Sequence, residues 1–158
     1  MSLPAAVVVA SNRAAARVYA DETGPLIVGW LREQGFDCDE PTVVPDGDPV
    51  REAIAAAVAA GARVVLTTGG TGLTPTDRTP EATAPLLDRQ VPGIAEAIRA
   101  AGVAQGIPTA MLSRGLAGIA GDCLVVNLPG SRGGVKDGLG VLEPVLRHAV
   151  EQVVGSDH

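Results

Sequence analysis

Aromatic side chains are scarce in this chain, whose 158 residues include one Trp, one Tyr and one Phe. The hydrophobic core must therefore be built from Ala, Val, Leu and Ile. The two cysteines, Cys38 and Cys123, lie far apart and fit no metal-binding spacing, so we expect reduced packing thiols in a cytoplasmic protein. No apolar run approaches the ~18 residues of a membrane span, and no basic start followed by an apolar stretch indicates a signal peptide.

Positive charge is also in short supply, because the formal net charge is −6 and Lys136 is the only lysine. Proteins that bind nucleic acids usually carry a basic stripe, so this balance argues against that class. A small anionic ligand needs only a local positive field and is compatible with it. With 46% apolar and 19% charged residues, the chain is predicted to form a single globular domain over residues 1–158.

Apolar runs of strand length alternate with helical patterns along the chain. We predict strands at 5–10, 36–44, 63–68, 108–112 and 123–128. We predict a loop at 11–22, helices at 25–34, 48–61 and 92–101, and a further helix that Pro80 opens. The tail 135–154 is predicted to be helical, with its second segment starting at Pro144. Asp48 and Thr79 each precede a proline and are expected to be N-caps. Strands separated by helices predict an α/β fold with a mainly parallel sheet covered on both faces.

Ligands of parallel sheets bind beyond the carboxyl ends of the strands. Five loops follow predicted strands and are therefore expected at the same edge, namely 11–13, 44–48, 68–77, 113–114 and 129–132.

The loop after the third predicted strand carries Gly69, Gly70 and Gly72 within four positions. Without Cβ atoms the backbone can approach a ligand closely, and its N–H groups can form an anion-binding nest, to which Thr68 and Thr71 add hydroxyl donors. The sequence is neither a P-loop nor a GxGxxG motif. A tight turn that needs positive φ is the alternative, and the threonines favour phosphate binding.

Asp46 and Asp77 are the candidate metal ligands on these loops. Mg²⁺ prefers one or two carboxylates together with ligand phosphates and water. The alternative is that both are ordinary caps or turn formers, as most loop aspartates are.

Three further loops carry groups that suit an anion. Arg114, next to Ser113, is predicted to fork onto a phosphate or carboxylate, with a solvated surface arginine as the alternative. The turn of Pro129, Gly130 and Ser131 can donate backbone and side-chain hydrogen bonds, or it is a plain turn. The same alternatives apply to the possible nucleotide contacts at the first strand end, which are Ser11, Asn12 and Arg13.

Neither histidine, His148 nor His158, falls near a predicted ligand loop, and no cysteine does. Thiol chemistry and Ser–His–Asp hydrolysis are therefore disfavoured. Phosphoryl or nucleotidyl transfer fits instead, because positioning and charge neutralisation do most of the catalytic work there.

These motifs resemble the bacterial molybdopterin adenylyltransferase family. The resemblance covers about residues 5–154 and is most specific at Thr67–Gly72 with Asp77 and Thr79–Thr83. It continues through Ser11–Arg13, Val18–Asp21, Val44–Asp46, Pro92–Gly93, Pro108–Arg114 and Asn127–Gly130.

The resemblance implies a three-layer α/β/α sandwich of the molybdopterin-binding, Rossmann-like type, usually a homotrimer. It implies adenylyl transfer from MgATP to molybdopterin, with release of pyrophosphate, in molybdenum cofactor biosynthesis. The essential aspartates would be Asp46 and Asp77, and the ligand loops would be 68–72, 113–114 and 129–131. Other molybdenum cofactor biosynthesis proteins are potential partners. The alternatives are a non-catalytic molybdopterin-binding or scaffold protein and a generic nucleotide phosphohydrolase.

Overall fold

The computed structural model describes residues 2–15 and 21–155. Val18, Tyr19 and Ala20 of the resemblance, and His158, lie outside the described residues. The strands are β1 (Leu3–Ala10), β2 (Phe36–Cys38), β3 (Thr42–Val44), β4 (Val64–Thr68), β5 (Arg89–Gln90), β6 (Ala117–Ala120) and β7 (Cys123–Leu128). The α-helices are α1 (Asn12–Ala15), α2 (Thr23–Glu33), α3 (Asp48–Ala59), α4 (Thr79–Thr83), α5 (Pro92–Ala104), α6 (Arg132–Leu142) and α7 (Leu146–Val153).

All seven strands join one sheet in the order β2-β1-β4-β7-β6-β5, with β3 pairing β1 beyond the end of β2. The strands β1, β2, β3, β4 and β7 are mutually parallel, whereas β6 pairs antiparallel with β7 and β5 pairs antiparallel with β6. The predicted mainly parallel sheet is therefore confirmed, with an antiparallel extension at one side.

Helices cover both faces of this sheet. Along β1, Val7 and Val9 pack into a cluster with apolar residues of α2, α5, α6 and α7. Val8 and Ala10 face the opposite way, into a cluster with residues of α3 and α4. Successive side chains of a strand point to opposite faces, so these two clusters are the two sides of a three-layer α/β/α sandwich. Within residues 2–15 and 21–155, no helix combines the length and hydrophobicity needed to cross a membrane.

The predicted strand at 108–112 is wrong. Pro108–Leu112 is a 3-10 helix with no buried residue, and Ala110 and Ser113 donate turn hydrogen bonds to carbonyls three residues earlier. Proline lacks an N–H for a sheet, and a short apolar run alone does not distinguish a strand from a helical turn. The strand paired with β7 is β6, whose Ala-Gly-Ile-Ala sequence carries a weak strand signal.

Several boundaries also differ from the prediction. The predicted strand 36–44 is split into β2 and β3 around Pro41, and the short helix α1 lies in the predicted loop 11–22. Asp48 and Thr79 are the first residues of α3 and α4 rather than N-caps, and neither helix has a side-chain cap. Gly35 and Gly61 follow helix ends with φ of 92° and 98°, as expected for helix-terminating glycines.

Candidate functional site

The loops after the parallel strands meet at one edge of the sheet, as the sequence predicts for four of them. Ala10, Val44, Thr68 and Leu128 end β1, β3, β4 and β7, and the strand registers bring these ends into line. The Thr68 hydroxyl donates to the carbonyl of Pro129 at 2.7 Å, which ties the glycine-rich loop to the turn after β7. The fifth loop, 113–114, follows a 3-10 helix instead of a strand.

Two glycines of the loop adopt left-handed backbone conformations, with φ of 89° at Gly69 and 70° at Gly70. A Cβ at Gly69 would overlap the carbonyl oxygen of Ala10. A Cβ at Gly70 would overlap Thr79 Oγ1 and lie 2.6 Å from Asp46 Oδ2. The positive φ proposed as the alternative is therefore present, and close approach adds a second requirement for glycine.

Gly72 has a different reason to lack a side chain. Its φ is not in the left-handed region, but a Cβ there would lie 2.7 Å from Asp77 Oδ2. Each candidate carboxylate thus lies against a glycine of the same loop, Asp46 against Gly70 and Asp77 against Gly72. The structure brings the two aspartates to one short stretch of backbone although 31 positions separate them in sequence.

Backbone N–H groups hold the Asp46 carboxylate in place. Its Oδ1 accepts hydrogen bonds from the N–H groups of Gly47 and Arg78, each at 2.9 Å, and its own N–H donates to Asn12 Oδ1 at 2.9 Å. Oδ2 is the oxygen that faces Gly70. These bonds fix the orientation of the carboxylate before any ligand arrives.

The Asp77 carboxylate accepts hydrogen bonds from Thr74, a residue of the same loop. Asp77 Oδ2 accepts from the Thr74 N–H at 3.1 Å and from the Thr74 hydroxyl at 2.7 Å. This is a turn-forming role, which the sequence offered as the alternative to metal binding. Asp77 also lines both clefts described next, so the turn-forming role leaves the residue at the predicted site.

Two clefts open at this edge and share a wall made of Gly70, Asp77 and Gly130. The first has a volume of about 500 Å³ and contains Asp46 together with Arg13 and Arg132, as well as Ser11, Asn12, Thr68 and Gly69.

The second cleft has a volume of about 960 Å³ and a more apolar lining, which includes Leu73, Ile98 and Leu112. Lys136 and Arg99 place positive charge beside these side chains. Thr71, Gly72, Ser113, Pro129 and Ser131 also line it. A pocket with an apolar body and a few converging polar groups is typical of a small-molecule site.

Arg114 lies outside the lining of both clefts, so the structure does not bring it to the predicted anion site. Its guanidinium forks onto the carboxylate of Glu81, with Nη1 to Oε2 at 2.7 Å and Nη2 to Oε1 at 3.2 Å. Hydrogen bonds from Arg114 lower the pKa of the Glu81 carboxyl from its ordinary 4.5. Ser113 does reach the second cleft, where its hydroxyl lies 3.1 Å from Thr71 Oγ1.

Ser131 is the N-cap of α6, and its Oγ accepts a hydrogen bond from the Gly134 N–H at 3.0 Å. The predicted turn therefore ends in a helix N-terminus, which favours negative charge. Gly130 packs closely on the glycine-rich loop, since a Cβ there would lie 3.3 Å from the Gly69 Cα.

A buried polar network beneath the loop was not predicted. The Asn127 amide nitrogen donates to Thr67 Oγ1 at 3.0 Å and to Thr83 Oγ1 at 3.1 Å, and its oxygen accepts from the Leu116 N–H at 3.0 Å. Thr79 Oγ1 is also buried and has no hydrogen-bond partner among the described residues. The sequence did contain a signal for this network, because polar residues interrupt otherwise apolar strands and stand at the start of a helix.

The donor set limits what cation this edge can hold. Within the described part of the chain, no group of three or more His, Cys, Asp or Glu side chains is arranged to bind a metal ion. Two carboxylates beside the glycine-rich loop suit Mg²⁺, which keeps several waters and completes its shell with ligand phosphates. The thiols are elsewhere: Cys38 and Cys123 are buried, and burial raises the pKa of Cys123 to about 12.

The fold and the two clefts define an α/β protein of the class that binds small ligands beyond the carboxyl edge of its sheet. Residues 6–148 match the family described as "Probable molybdopterin binding domain", and the chain belongs to this family.

Three relatives show how far the similarity extends. The solved structure of the molybdopterin biosynthesis Mog protein from Mycobacterium ulcerans is 52% identical, with a TM-score of 0.92, and the match covers 96% of this chain and 99% of that one. A molybdopterin adenylyltransferase of Haemophilus influenzae is 38% identical over 82% of this chain and 67% of its own length. A molybdenum cofactor biosynthesis bifunctional protein of Synechococcus elongatus is 43% identical over 98% of this chain and 48% of its own length. The chain spans about half the length of the bifunctional relatives it matches.

Proposed function

We propose that this protein is a molybdopterin adenylyltransferase, which transfers the adenylyl group of ATP to the terminal phosphate of molybdopterin and releases pyrophosphate. One observation carries the proposal: Asp46 and Asp77 lie against the same glycine-rich loop, and Asp77 lines the wall that two clefts share. Two substrates that occupy the two clefts have their reacting phosphates at that wall. Holding reactants in such geometry is a major part of catalysis.

The reaction needs no general base. The phosphate monoester of molybdopterin has a second pKa of about 6 and is mostly a dianion at neutral pH. One of its oxygens forms a bond to the α-phosphorus of ATP, the bond from that phosphorus to the bridging oxygen breaks, and pyrophosphate leaves with the electron pair. No histidine of the described residues lines either cleft, which agrees with chemistry of this kind.

The protein's own groups supply the binding. Arg13 and Arg132 in the first cleft and Lys136 in the second place positive groups where anionic substrates would lie. Acidic side chains also line the first cleft, namely Asp21, Glu22, Asp46 and Asp77, so a bound cation would offset their charge. Asp46 and Asp77 would hold Mg²⁺, which neutralises the charge that develops on the phosphates when it is bound. The resemblance adds a cytoplasmic homotrimer to the proposal, and light scattering coupled to gel filtration tests that assembly.

The test is pyrophosphate release from ATP with and without molybdopterin. Asp77→Asn keeps the shape of the side chain and removes its charge, so we expect near-normal folding and a loss of at least tenfold in release, as for other electrostatic catalytic groups. Asp122→Asn is the matched control, because Asp122 is exposed in the turn between β6 and β7.

Each outcome has a distinct meaning. Pterin-dependent release that falls only in Asp77→Asn supports the proposal. Release from ATP alone indicates a nucleotide phosphohydrolase, and pterin binding with no release indicates a non-catalytic binding protein. Unchanged turnover in Asp77→Asn removes this carboxylate from the mechanism.

A further inference from the structure

All three nitrogens of the Arg114 guanidinium donate hydrogen bonds to the protein. Besides its fork onto Glu81, its Nε donates to the carbonyl of Gly72 at 2.9 Å and its Nη2 donates to the carbonyl of Asp77 at 2.8 Å. The backbone N–H of Arg114 adds a bond of 2.8 Å to the carbonyl of Thr71.

These acceptors are the two ends of one loop. Gly72 and Asp77 begin and end the segment 72–77, and the guanidinium joins their carbonyls across its base. The planar, rigid donor fork of arginine suits such a set of acceptors, and lysine has no equivalent geometry. Glu81 lies on α4, so its carboxylate fixes the guanidinium from the far side.

From this geometry we infer that the Arg114–Glu81 pair is a positioning device: it holds the loop 72–77 so that Asp77 stays in the shared wall of the clefts, placed to bind a divalent cation. The inference rests on the proposed function for what Asp77 binds. It assigns Arg114 a different role from that of an anion ligand, which the sequence predicted.

Charge and location both favour this assignment. Arg114 lines neither cleft, and an anion that reached it would meet the Glu81 carboxylate already bound to both of its terminal nitrogens. Glu81 also lies outside both linings, so neither side chain contacts a ligand in the clefts. The pair acts on Asp77 through the backbone, as outer residues do when they orient a metal ligand.

The experiment compares Glu81→Gln and Arg114→Lys with the wild-type chain. Binding of Mn²⁺ in the presence of α,β-methylene-ATP is followed by electron paramagnetic resonance, and amide hydrogen exchange is followed in residues 70–78. Glu81→Gln keeps the size of the side chain and leaves Arg114 in place, so it guards against a variant that fails to fold. Arg51→Lys is the control, because the Arg51–Asp48 pair is an exposed ion pair on α3.

We expect both variants to bind Mn²⁺ about 10- to 100-fold more weakly, the range seen for residues that orient metal ligands. Exchange in the loop 72–77 should rise, the control should match wild type, and Asp77→Asn should add little to either variant. An anion ligand would behave differently: Glu81→Gln would free the guanidinium and leave nucleotide binding equal or tighter.

Unchanged Mn²⁺ affinity in both variants, or tighter nucleotide binding in Glu81→Gln, overturns the inference while the proposed function stands. A wild-type chain that binds no Mn²⁺ with the nucleotide overturns the proposed use of Asp77 and the inference together. If the wild-type chain still releases pyrophosphate in a pterin-dependent way in that case, the proposed adenylyl transfer stands without this use of Asp77.

Discussion

Gly70→Ala tests the close packing at the centre of the site. Gly70 has a φ of 70°, and an L side chain in left-handed conformation costs about 1–2 kcal/mol. The new Cβ would also overlap Thr79 Oγ1 and lie 2.6 Å from Asp46 Oδ2. Inserting a methyl group into packed surroundings costs about 1–3 kcal/mol, so the free energy of unfolding should fall by about 2–5 kcal/mol in total.

Gly121→Ala is the control for the backbone contribution. Its φ is 61°, and the nearest atom to a new Cβ is Val58 Cγ1 at 4.0 Å. The control should therefore lose only the conformational part, about 1–2 kcal/mol. Urea unfolding followed by circular dichroism measures both variants. If Gly70→Ala costs no more than Gly121→Ala, the loop does not pack on Thr79 and Asp46 as described, and the reasoning about why glycine is needed there fails.

Three further predictions concern other parts of the molecule. Asn127→Ala should lower the free energy of unfolding by about 2–4 kcal/mol in urea titrations, because several buried polar groups lose a partner. The coupling between Glu81 and Arg114, measured by a double-mutant cycle, should be present at neutral pH. It should vanish as the pH falls well below 4.5, because the pKa of Glu81 is lowered in the folded state and protonation removes the interaction. Cys123 should react with a thiol reagent only at the rate of global unfolding, because it is fully buried and its pKa is raised to about 12; fast labelling of the native protein would contradict its burial.

The sequence predicted correctly those strands whose formation depends on the residues of the strand itself. The strands β1, β4 and β7 are mostly apolar because helices cover both faces, and all residues of β4 and β7 are buried. The carboxyl-edge loops followed from the parallel pairing of these strands. The convergence of Asp46 and Asp77 on one loop is the geometric consequence, although their places on that loop depend on backbone hydrogen bonds that no spacing reveals.

The antiparallel side of the sheet and the role of Arg114 were beyond sequence patterns. β6 is built from Ala, Gly and Ile, and its membership in the sheet depends on pairing with β7 rather than on strand propensity. Arg114 forms an ion pair with Glu81, which is 33 positions away in sequence. That contact exists only because α4 packs beside the loop 72–77. A charged residue after a predicted strand looks the same in sequence whether it serves a ligand or the protein itself.

The wall of Gly70, Asp77 and Gly130 has a consequence for how the proposed reaction ends. Adenylylated molybdopterin would be tethered in two chambers at once, so detaching either end leaves the molecule attached by the other. A detached end stays at an effective concentration in the millimolar range for short connections, and recapture then outpaces escape. If the proposed reaction takes place in these clefts, release of the product rather than its formation would limit turnover. An acceptor that binds the detached end would then raise the turnover rate.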